Sequence, residues 1–144
     1  MSVSRDHTLK VCDLESGSEL RTLQGHSRAV NGVAVSADGR RVVHASGNKT
    51  LKVWDLDSGR ELRTMEGHSW AVYGVTVSAH RRRVVSASQD TTLKVWDLET
   101  GALVATFTCD AEVLCCAIAA RRIAAGDQVG RLHFLSLELK EDNN

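Results

Sequence analysis

The chain contains no proline, few aromatic residues and no excess of charge of either sign. Lys and Arg together number 18, as do Asp and Glu, and this balance argues against a general binder of nucleic acid or of a membrane surface. No run approaches the roughly 18 apolar residues of a membrane span, and no N-terminal apolar stretch resembles a signal peptide. We therefore expect a cytoplasmic protein that does not enter a membrane.

Paired metal ligands are also missing. The cysteines follow no C-x-x-C spacing and no paired histidines accompany them, so a zinc site is not expected. Three of the four lie in or beside apolar strand patterns, which favours reduced and buried thiols. These cysteines are Cys12, Cys109, Cys115 and Cys116. The phosphate-binding pattern G-x-x-x-x-G-K-[ST] is absent as well, so we predict no metal and no cofactor.

A repeat of 42 residues dominates what is present. The segments "TLKVCDLESG", "TLKVWDLDSG" and "TLKVWDLETG" begin at Thr8, Thr50 and Thr92, and Gly25-His26 recurs as Gly67-His68. Self-similarity at this period indicates a repeat architecture in which each copy is one supersecondary unit.

Each period divides into four short runs that are typical of strands. The runs are rich in Val, Leu and Thr, and Gly, Asn, Asp and Ser supply the turns that proline does not. No stretch keeps the apolar spacing of a helix, and continuous runs such as "RVVHAS" suit strands that are covered on both faces. In the first complete period the runs are Glu19 to Leu23, Ala29 to Val35, Arg41 to Ala45 and Leu51 to Leu56.

Glycine-histidine followed about 28 residues later by tryptophan-aspartate resembles the WD40 repeat, which forms one blade of a β-propeller. The resemblance covers almost all of residues 2 to 137. It implies an all-β WD40 β-propeller segment of fourteen strands, or about three and a half four-stranded antiparallel blades, and a single chain would form an open arc instead of a closed ring. The near-identical copies particularly resemble the tandem repeats of bacterial STAND-type NTPases and other multidomain signalling proteins.

The resemblance also implies where the blades lie. We expect the chain to be the C-terminal part of a larger propeller with a partial blade, two full blades, an atypical terminal blade and a polar tail. These are residues 1–24, 25–66, 67–108, 109–137 and 138–144, respectively.

The terminal copy has decayed. Cys109-Asp110 stands where Gly-His belongs and Leu135-Ser136 stands where Trp-Asp belongs. Leu132 follows Leu93 by only 39 residues, which predicts that the turn around residues 120 and 121 has lost three.

A Ser-His-Asp triad could be assembled from His68, Asp90 and either Ser86 or Ser88. The WD40 resemblance implies instead a buried structural tetrad of histidine, serine or threonine, aspartate and tryptophan, so we expect no enzyme. The tetrad candidates in the two full blades are His68, Ser86, Ser88, Asp90 and Trp96, and His26, Asn48 and Trp54. In the first copy Cys12 replaces the tryptophan, which we interpret as a small filler that tolerates the lack of a partner.

Partner binding would fall on the rims of the blades. The resemblance places Arg28, Trp70 and Glu112 at equivalent positions on the top rim, with Asn31, Tyr73 and Cys115 three residues later. The candidate partner-binding residues are Arg28, Asn31, Trp70 and Tyr73. Tryptophan, tyrosine and arginine are typical of binding hot spots, whereas the alternative is a partly packed tryptophan with an ordinary exposed arginine.

The opposite rim carries arginine in its turns, at Arg40-Arg41, at 81–83 and at 121–122, together with acidic residues at Asp55, Asp57, Asp97 and Glu99. A surface that neutralises itself and a site for phosphate, acidic peptides or RNA both remain open.

The predicted function is a non-enzymatic scaffold or sensor for protein–protein interaction, with a protein partner or additional blades. One alternative is a half-propeller that closes as a homo-oligomer, since two copies would supply 28 strands, enough for seven blades of four. Another is a degenerate gene fragment without activity.

Overall fold

Strands and turns make up the part of the chain that the structure describes, and no helix there is long and apolar enough to span a membrane. The computed structural model describes residues 30–79, 82–119 and 122–136 in full, and the backbone of residues 2–3, 9–12, 16 and 19–23. The strands are β1 (Ser2–Val3), β2 (Leu9–Cys12), β3 (Glu19–Leu23), β4 (Val30–Val35), β5 (Arg41–Ser46), β6 (Leu51–Asp55), β7 (Glu61–Met65), β8 (Val72–Val77), β9 (Arg83–Ser88), β10 (Thr92–Asp97), β11 (Leu103–Thr108), β12 (Val113–Ala119), β13 (Arg122–Asp127) and β14 (Leu132–Ser136).

The strands form four antiparallel sheets in chain order: sheet A (β1 to β3), sheet B (β4 to β7), sheet C (β8 to β11) and sheet D (β12 to β14). In every sheet each strand pairs with the one next to it in the sequence. Sheets B, C and D meet through their first strands, because β4 contacts β8 and β8 contacts β12, and sheet A meets sheet B through β1 and β4. The sheets form an arc that does not close, which confirms the predicted all-β class and the strand count within the described residues.

The strand bounds follow the sequence prediction within one or two residues. β3 has the predicted bounds, β5 extends one residue further to Ser46, and β6 ends at Asp55 instead of Leu56. Ala29, the predicted start of the inner strand, lies outside the described residues. The continuous apolar runs are explained by burial on both faces, since Val42 and Val43 point to opposite sides of sheet B and both are fully buried.

The core lies between sheets. Each sheet turns one apolar face, here called the forward face, toward the next sheet, which meets it with its backward face. The forward face of sheet B (Val43, Ala45, Leu51, Val53) packs on the backward face of sheet C (Val72, Val84, Trp96, Leu98). The forward face of sheet C (Val85, Ala87, Leu93, Val95) packs in the same way on the backward face of sheet D (Val113, Ile123, Ala125).

The first strands of sheets B, C and D approach one another closely at glycine. A Cβ on Gly32 would lie 3.2 Å from the Tyr73 carbonyl oxygen, and a Cβ on Gly74 would lie 3.3 Å from the Cα of Cys115. These contacts are with backbone atoms, which cannot move aside easily. Glycine therefore sets the distance between successive sheets near the axis of the arc.

The pairing register corrects the predicted alignment of the terminal copy. Val72 pairs with Ser88 in sheet C as Val113 pairs with Asp127 in sheet D. The first strands are therefore offset by 41 residues and the second strands by 39, so one residue is lost before β12 and only two in the turn at 120–121.

The same register reassigns Glu112. The Gln89 N–H donates to the Ala71 carbonyl at 3.0 Å, and the Gln128 N–H donates to the Glu112 carbonyl at 2.8 Å. Glu112 is thus the counterpart of Ala71, and its predicted equivalence with Trp70 is wrong. The predicted placement of Leu135 at the tryptophan position is confirmed, because Leu135 pairs with Ile123 as Trp96 pairs with Val84.

Strand types argue against the seven-bladed ring of two copies. Sheet A begins with a second strand and sheet D ends with a third strand, so the described residues hold three first, four second, four third and three outermost strands. Two copies would supply these types in unequal numbers. They could not form seven complete blades from the described strands, although the strand total alone would allow it.

The turn after β9 contains a residue with a strained backbone, and the matching turn of sheet D has glycine at the same position. Thr91 has a φ of 71° and its N–H donates to the Ser88 carbonyl at 3.3 Å, while Gly130 has a φ of 87° and makes the corresponding bond to Asp127 at 3.1 Å. A β-branched residue is disfavoured in this left-handed conformation, which glycine adopts freely.

We predict that Thr91→Gly raises the free energy of unfolding by about 0.5 to 1 kcal/mol, because relief of strain exceeds the entropy cost of glycine. Urea denaturation would measure the change. Gly130→Ala is the reciprocal control and should lower the free energy of unfolding by about 1 kcal/mol. A lower midpoint for Thr91→Gly would contradict the prediction.

Candidate functional site: a buried polar tetrad and an exposed tryptophan

Four polar side chains meet at one end of sheet C. His68 comes from the loop before β8, Ser86 from β9, Asp90 from the turn after β9 and Trp96 from β10. His68 Nδ1 lies 2.9 Å from Asp90 Oδ2, and His68 Nε2 lies 2.6 Å from Ser86 Oγ. Trp96 Nε1–H donates to the same Ser86 oxygen at 2.9 Å. Two strands, a turn and a loop are thereby joined by one chain of hydrogen bonds.

Ionisation fixes the direction of these bonds. Burial raises the pKa of Asp90, but hydrogen bonds from Thr92, His68 and the Ser69 N–H outweigh it and lower this pKa to about 2. Asp90 is therefore a carboxylate at neutral pH and can only accept hydrogen bonds.

The histidine is neutral. Burial lowers the pKa of the His68 imidazole below its usual value, and the neighbouring Asp90 carboxylate only partly opposes this effect. The single N–H lies on Nδ1, since only a donor can satisfy Asp90, and Nε2 accepts from the Ser86 hydroxyl. The bonds thus run from Trp96 to Ser86, from Ser86 to His68 and from His68 to Asp90.

This order of groups is that of a Ser-His-Asp hydrolase, but the serine cannot be reached. Ser86 is fully buried, and His68 and Trp96 are nearly so. A nucleophile must be able to contact its substrate, whereas Ser86 Oγ is enclosed and already accepts a bond from the indole. The arrangement stabilises the sheet and exposes no group for acyl transfer.

Ser88 has a separate role from the tetrad. Its hydroxyl donates to the Ala71 carbonyl at 2.8 Å and accepts from the Asp90 N–H at 3.1 Å. It therefore ties the turn after β9 to the loop before β8. From the sequence, Ser86 and Ser88 were alternative candidates for the serine of the tetrad. In the structure only Ser86 contacts His68 and Trp96.

Sheet B contains a different set at the same positions. His44 pairs with Lys52 as Ser86 pairs with Lys94, so a histidine occupies the serine position. His44 is fully buried, and its ring centroid lies 6.1 Å from that of the buried Trp54. Asn48, at the aspartate position, accepts a hydrogen bond from Thr50 Oγ1 at 2.5 Å. His26 lies outside the described residues.

Sheet D has lost the tetrad as a unit. By register, Ala125, Val129 and Leu135 stand in place of Ser86, Asp90 and Trp96. The shortened loop supplies Cys109 where the loop before β8 supplies His68, and the side chains of Cys109, Ala125 and Leu135 join one apolar cluster. Removing one partner of a buried polar pair lowers the stability of the fold, whereas replacing every partner with an apolar group changes it little. The substitutions in sheet D are therefore compatible with one another.

A histidine–aspartate pair in sheet D was missed by the sequence reasoning. Asp127 is buried at the position of Ser88, accepts from the Val129 and Arg131 N–H groups, and lies 2.9 Å from His133 Nε2. The His133 hydrogen bond holds the pKa of Asp127 below its usual value. The available signal was an aspartate where the other copies carry serine.

Cysteine exposure departs in part from the prediction of buried thiols. Burial raises the pKa of the Cys116 thiol to about 12, which makes it unreactive at neutral pH. Cys115 is exposed, because it lies on the forward face of sheet D, where no further sheet is described. The side chain of Cys12 lies outside the described residues.

The candidate partner-binding residues differ in what they contact. Trp70 is 58% exposed and lies one residue after Ser69, whose N–H donates to Asp90. The Tyr73 hydroxyl donates to Glu112 Oε1 at 3.4 Å, and burial together with this carboxylate raises the pKa of the phenol. Asn31 donates to the Val72 carbonyl at 2.9 Å and so bridges sheets B and C. Arg28 lies outside the described residues.

Ion pairs connect sheets B and C on the arginine-bearing rim. Arg82 pairs with both Glu99 and Asp38, and Arg41 lies 3.4 Å from Glu99. Arg83 lies 3.0 Å from Asp97. These contacts favour the self-neutralising interpretation of this rim, and they add Asp38, which the sequence reasoning had not included. Arg40 and Arg122 are exposed on the same rim.

A succession of three- and four-stranded antiparallel sheets, joined face to face, with a buried histidine–serine–aspartate–tryptophan chain in sheet C, defines a β-propeller segment. A family model for the TEP-1 C-terminal beta-propeller matches residues 68–137, and one for the WD domain, G-beta repeat, matches residues 17–55. The fold is therefore that of a WD40 β-propeller segment, and the two matched segments resemble WD40-type propeller families. WD40 repeat modules are generally protein-interaction scaffolds and typically non-catalytic.

Solved structures that share the fold include the following two. A structure of U3-55K has a TM-score of 0.90 and 24% sequence identity over 94% of this chain and 44% of that chain. A crystal structure of RRP9 WD40 repeats has a TM-score of 0.84 and 22% identity over 93% of this chain and 46% of that chain. The chain thus spans less than half the length of either relative, and at this identity the likeness concerns the fold alone.

We predict that Ser86→Ala lowers the free energy of unfolding by about 2 to 4 kcal/mol, because it leaves the Trp96 N–H and the His68 Nε2 buried without their partner. Urea denaturation at neutral pH would measure this. Ser69→Ala is the control, since only the backbone of Ser69 takes part, and it should change stability by less than about 0.5 kcal/mol. Equal effects of the two variants would argue against the tetrad as a stabilising unit.

Asp90→Asn tests the acid dependence of the tetrad. The folded-state pKa of about 2 lies below the ordinary value of 3.8, so the ionised form stabilises the fold above pH 4 and this contribution is lost as the pH falls toward 2. We expect a cost of about 1 to 2 kcal/mol at pH 7 that shrinks as the pH falls from about 5 toward 2. Unfolding of both proteins at several pH values would measure it, and a difference independent of pH would contradict the assignment.

Proposed function

We propose that this chain is a non-enzymatic protein-interaction module that binds a protein partner through the rim around Trp70. The single observation that carries the proposal is the 58% exposure of Trp70 directly beside the tetrad. An indole held on a rigid support loses little conformational entropy on binding, and tryptophan is among the residues most enriched in hot spots.

Hydrogen bonds hold the backbone on both sides of the Trp70 side chain. Its own carbonyl lies 3.3 Å from the Ser88 hydroxyl, and the adjacent Ser69 N–H is held by Asp90 at 3.0 Å. The loop is thus fixed on both sides of the indole, although the side chain itself remains accessible. Tyr73 and Glu112 lie on the neighbouring part of this rim and would contribute polar contacts to a partner.

The test is affinity capture with the purified chain as bait. Trp70→Ala should reduce recovery of the bound partner at least about tenfold, which is the effect of a moderate hot spot. Leu103→Ala, which alters an exposed apolar residue far from this rim, is the matched control and should leave recovery unchanged. Equal recovery by wild type and Trp70→Ala, with both variants folded, would rule out this rim as the binding surface.

Two finer roles are further proposals. A sensor at the C-terminus of a cytoplasmic STAND-type signalling protein rests on the sequence resemblance alone, and the two solved structures compared above, of U3-55K and RRP9, do not add to it. A module completed by additional blades is supported by the open arc, because a partial propeller requires further blades. The blade boundaries predicted from the sequence belong with these proposals.

A further inference from the structure

Three exposed apolar side chains lie on the rim that carries Trp70. Trp70 is 58% exposed, Leu114 44% and Val129 61%. Leu114 is the counterpart of Tyr73 by register and lies at the start of the first strand of sheet D. Val129 takes the place of Asp90 in the turn after β13. The apolar surface around Trp70 thus continues onto the same end of sheet D, and such surfaces mark sites of interaction.

Carboxylates outnumber cations on this rim. Within the described residues, four acidic and two basic side chains lie there: Glu66, Asp90, Asp110 and Glu112, with Lys49 and Arg131. The Arg131 guanidinium is already paired with Asp110 at 3.1 Å, and Asp90 belongs to the tetrad. Glu66 and Glu112 remain, the first in the loop that carries Trp70 and the second in the loop before β12. Because the whole chain has a formal net charge of zero, this acidic excess is local.

The Glu112 carboxylate is held in position by uncharged groups. The Tyr73 hydroxyl donates to Glu112 Oε1 at 3.4 Å, and the Glu112 carbonyl accepts from the Gln128 N–H at 2.8 Å. Neither donor carries a positive charge, so the carboxylate keeps its negative charge. A charged group that is already held in place loses little conformational entropy when a partner binds. Glu112 is therefore prepared for an ion pair with a partner.

We propose that the partner of the Trp70 rim is a basic protein segment, in which an arginine side chain stacks on the Trp70 indole. This inference rests on the proposed function. The face of an indole attracts a cation, and the planar guanidinium of arginine stacks on it more readily than the ammonium of lysine. Other basic side chains of the segment pair with Glu66 and Glu112. Its apolar side chains cover Leu114 and Val129.

Charge complementarity favours this partner over an acidic or uncharged one. Binding removes water from Glu66 and Glu112, and a carboxylate that is desolvated without a cationic partner costs free energy. Acidic side chains brought against this rim would also be repelled, which suppresses the wrong partners. The apolar residues provide contact area, and the carboxylates determine which segments are accepted.

Selection from a random library of short peptides on the immobilised full chain tests the inference. Peptides that bind the wild type and not Trp70→Ala are the ones that use this rim. They should be enriched in arginine and lysine and depleted in aspartate and glutamate. Replacement of the stacked arginine of a selected peptide by citrulline, which has the same shape without the charge, should raise its dissociation constant about tenfold. High salt should weaken binding of the arginine peptide and hardly affect the citrulline peptide.

The double variant Glu66→Gln, Glu112→Gln separates this inference from the proposed function. Glutamine has nearly the same size as glutamate, and at position 112 it still accepts a hydrogen bond from Tyr73, so only the charge is lost. We expect the selected peptides to bind this variant about fivefold more weakly. Asp57→Asn is the matched control, because it removes an exposed carboxylate from the opposite rim. It should bind the peptides as the wild type does.

The possible failures of the two proposals are distinguishable. Peptides that depend on Trp70 but show no basic preference, or that bind the wild type and the double variant equally, would overturn this inference and leave the proposed function standing. If no peptide depended on Trp70, although circular dichroism showed every variant folded, the proposed function and this inference would both be wrong.

Discussion

Burial of sheet faces by neighbouring sheets is the constraint on which this structure depends. A strand such as β5 is apolar on both sides, so sheet B is stable only between two other sheets. The matching volumes of forward and backward faces account for the repetition of the sequence, because each copy must fit the surface that the preceding copy presents. The near-identity of the segments at Thr50 and Thr92 follows from this requirement.

The polar tetrad fixes the relative positions of groups that apolar packing alone would leave free to shift. It joins a loop, a turn and two strands of sheet C through buried bonds, and it holds the Ser69 N–H that precedes Trp70. Function in such a molecule lies on the surface that this framework supports. The resemblance to a hydrolase triad illustrates why accessibility must be considered together with distance, since the distances alone would suit catalysis.

Much of the fold could be predicted from the sequence because the same strand pattern recurs in each copy. A run that is ambiguous in one copy can be assigned from its counterparts in the others. The fourteen strands, the open arc and the position of Leu135 follow from copies that can be compared with one another. The terminal copy was harder, because a lost residue before β12 and two lost after it give the same total as three lost in one turn. Only the pairing of Val113 with Asp127 separates these cases.

Most residues of the site could be predicted from the sequence, but the contacts between them could not. His68, Asp90 and Trp96 were identified from the family pattern. Ser86 and Ser88 share one face of β9, so the choice between them depends on where His68 and Trp96 lie along that strand. The pair of Asp127 and His133 lay outside the pattern, since its residues replace a serine and a lysine of the other copies.

The glycines at positions 32 and 74 affect how such an array could grow by gene duplication. A duplicated repeat inserted between sheets B and C would present a glycine at the crossing point and would seat against its neighbours without further change. A copy that carried a larger residue at that point would meet the backbone of the adjacent sheet, and a small compensating shift between the two sheets would be needed before it could pack.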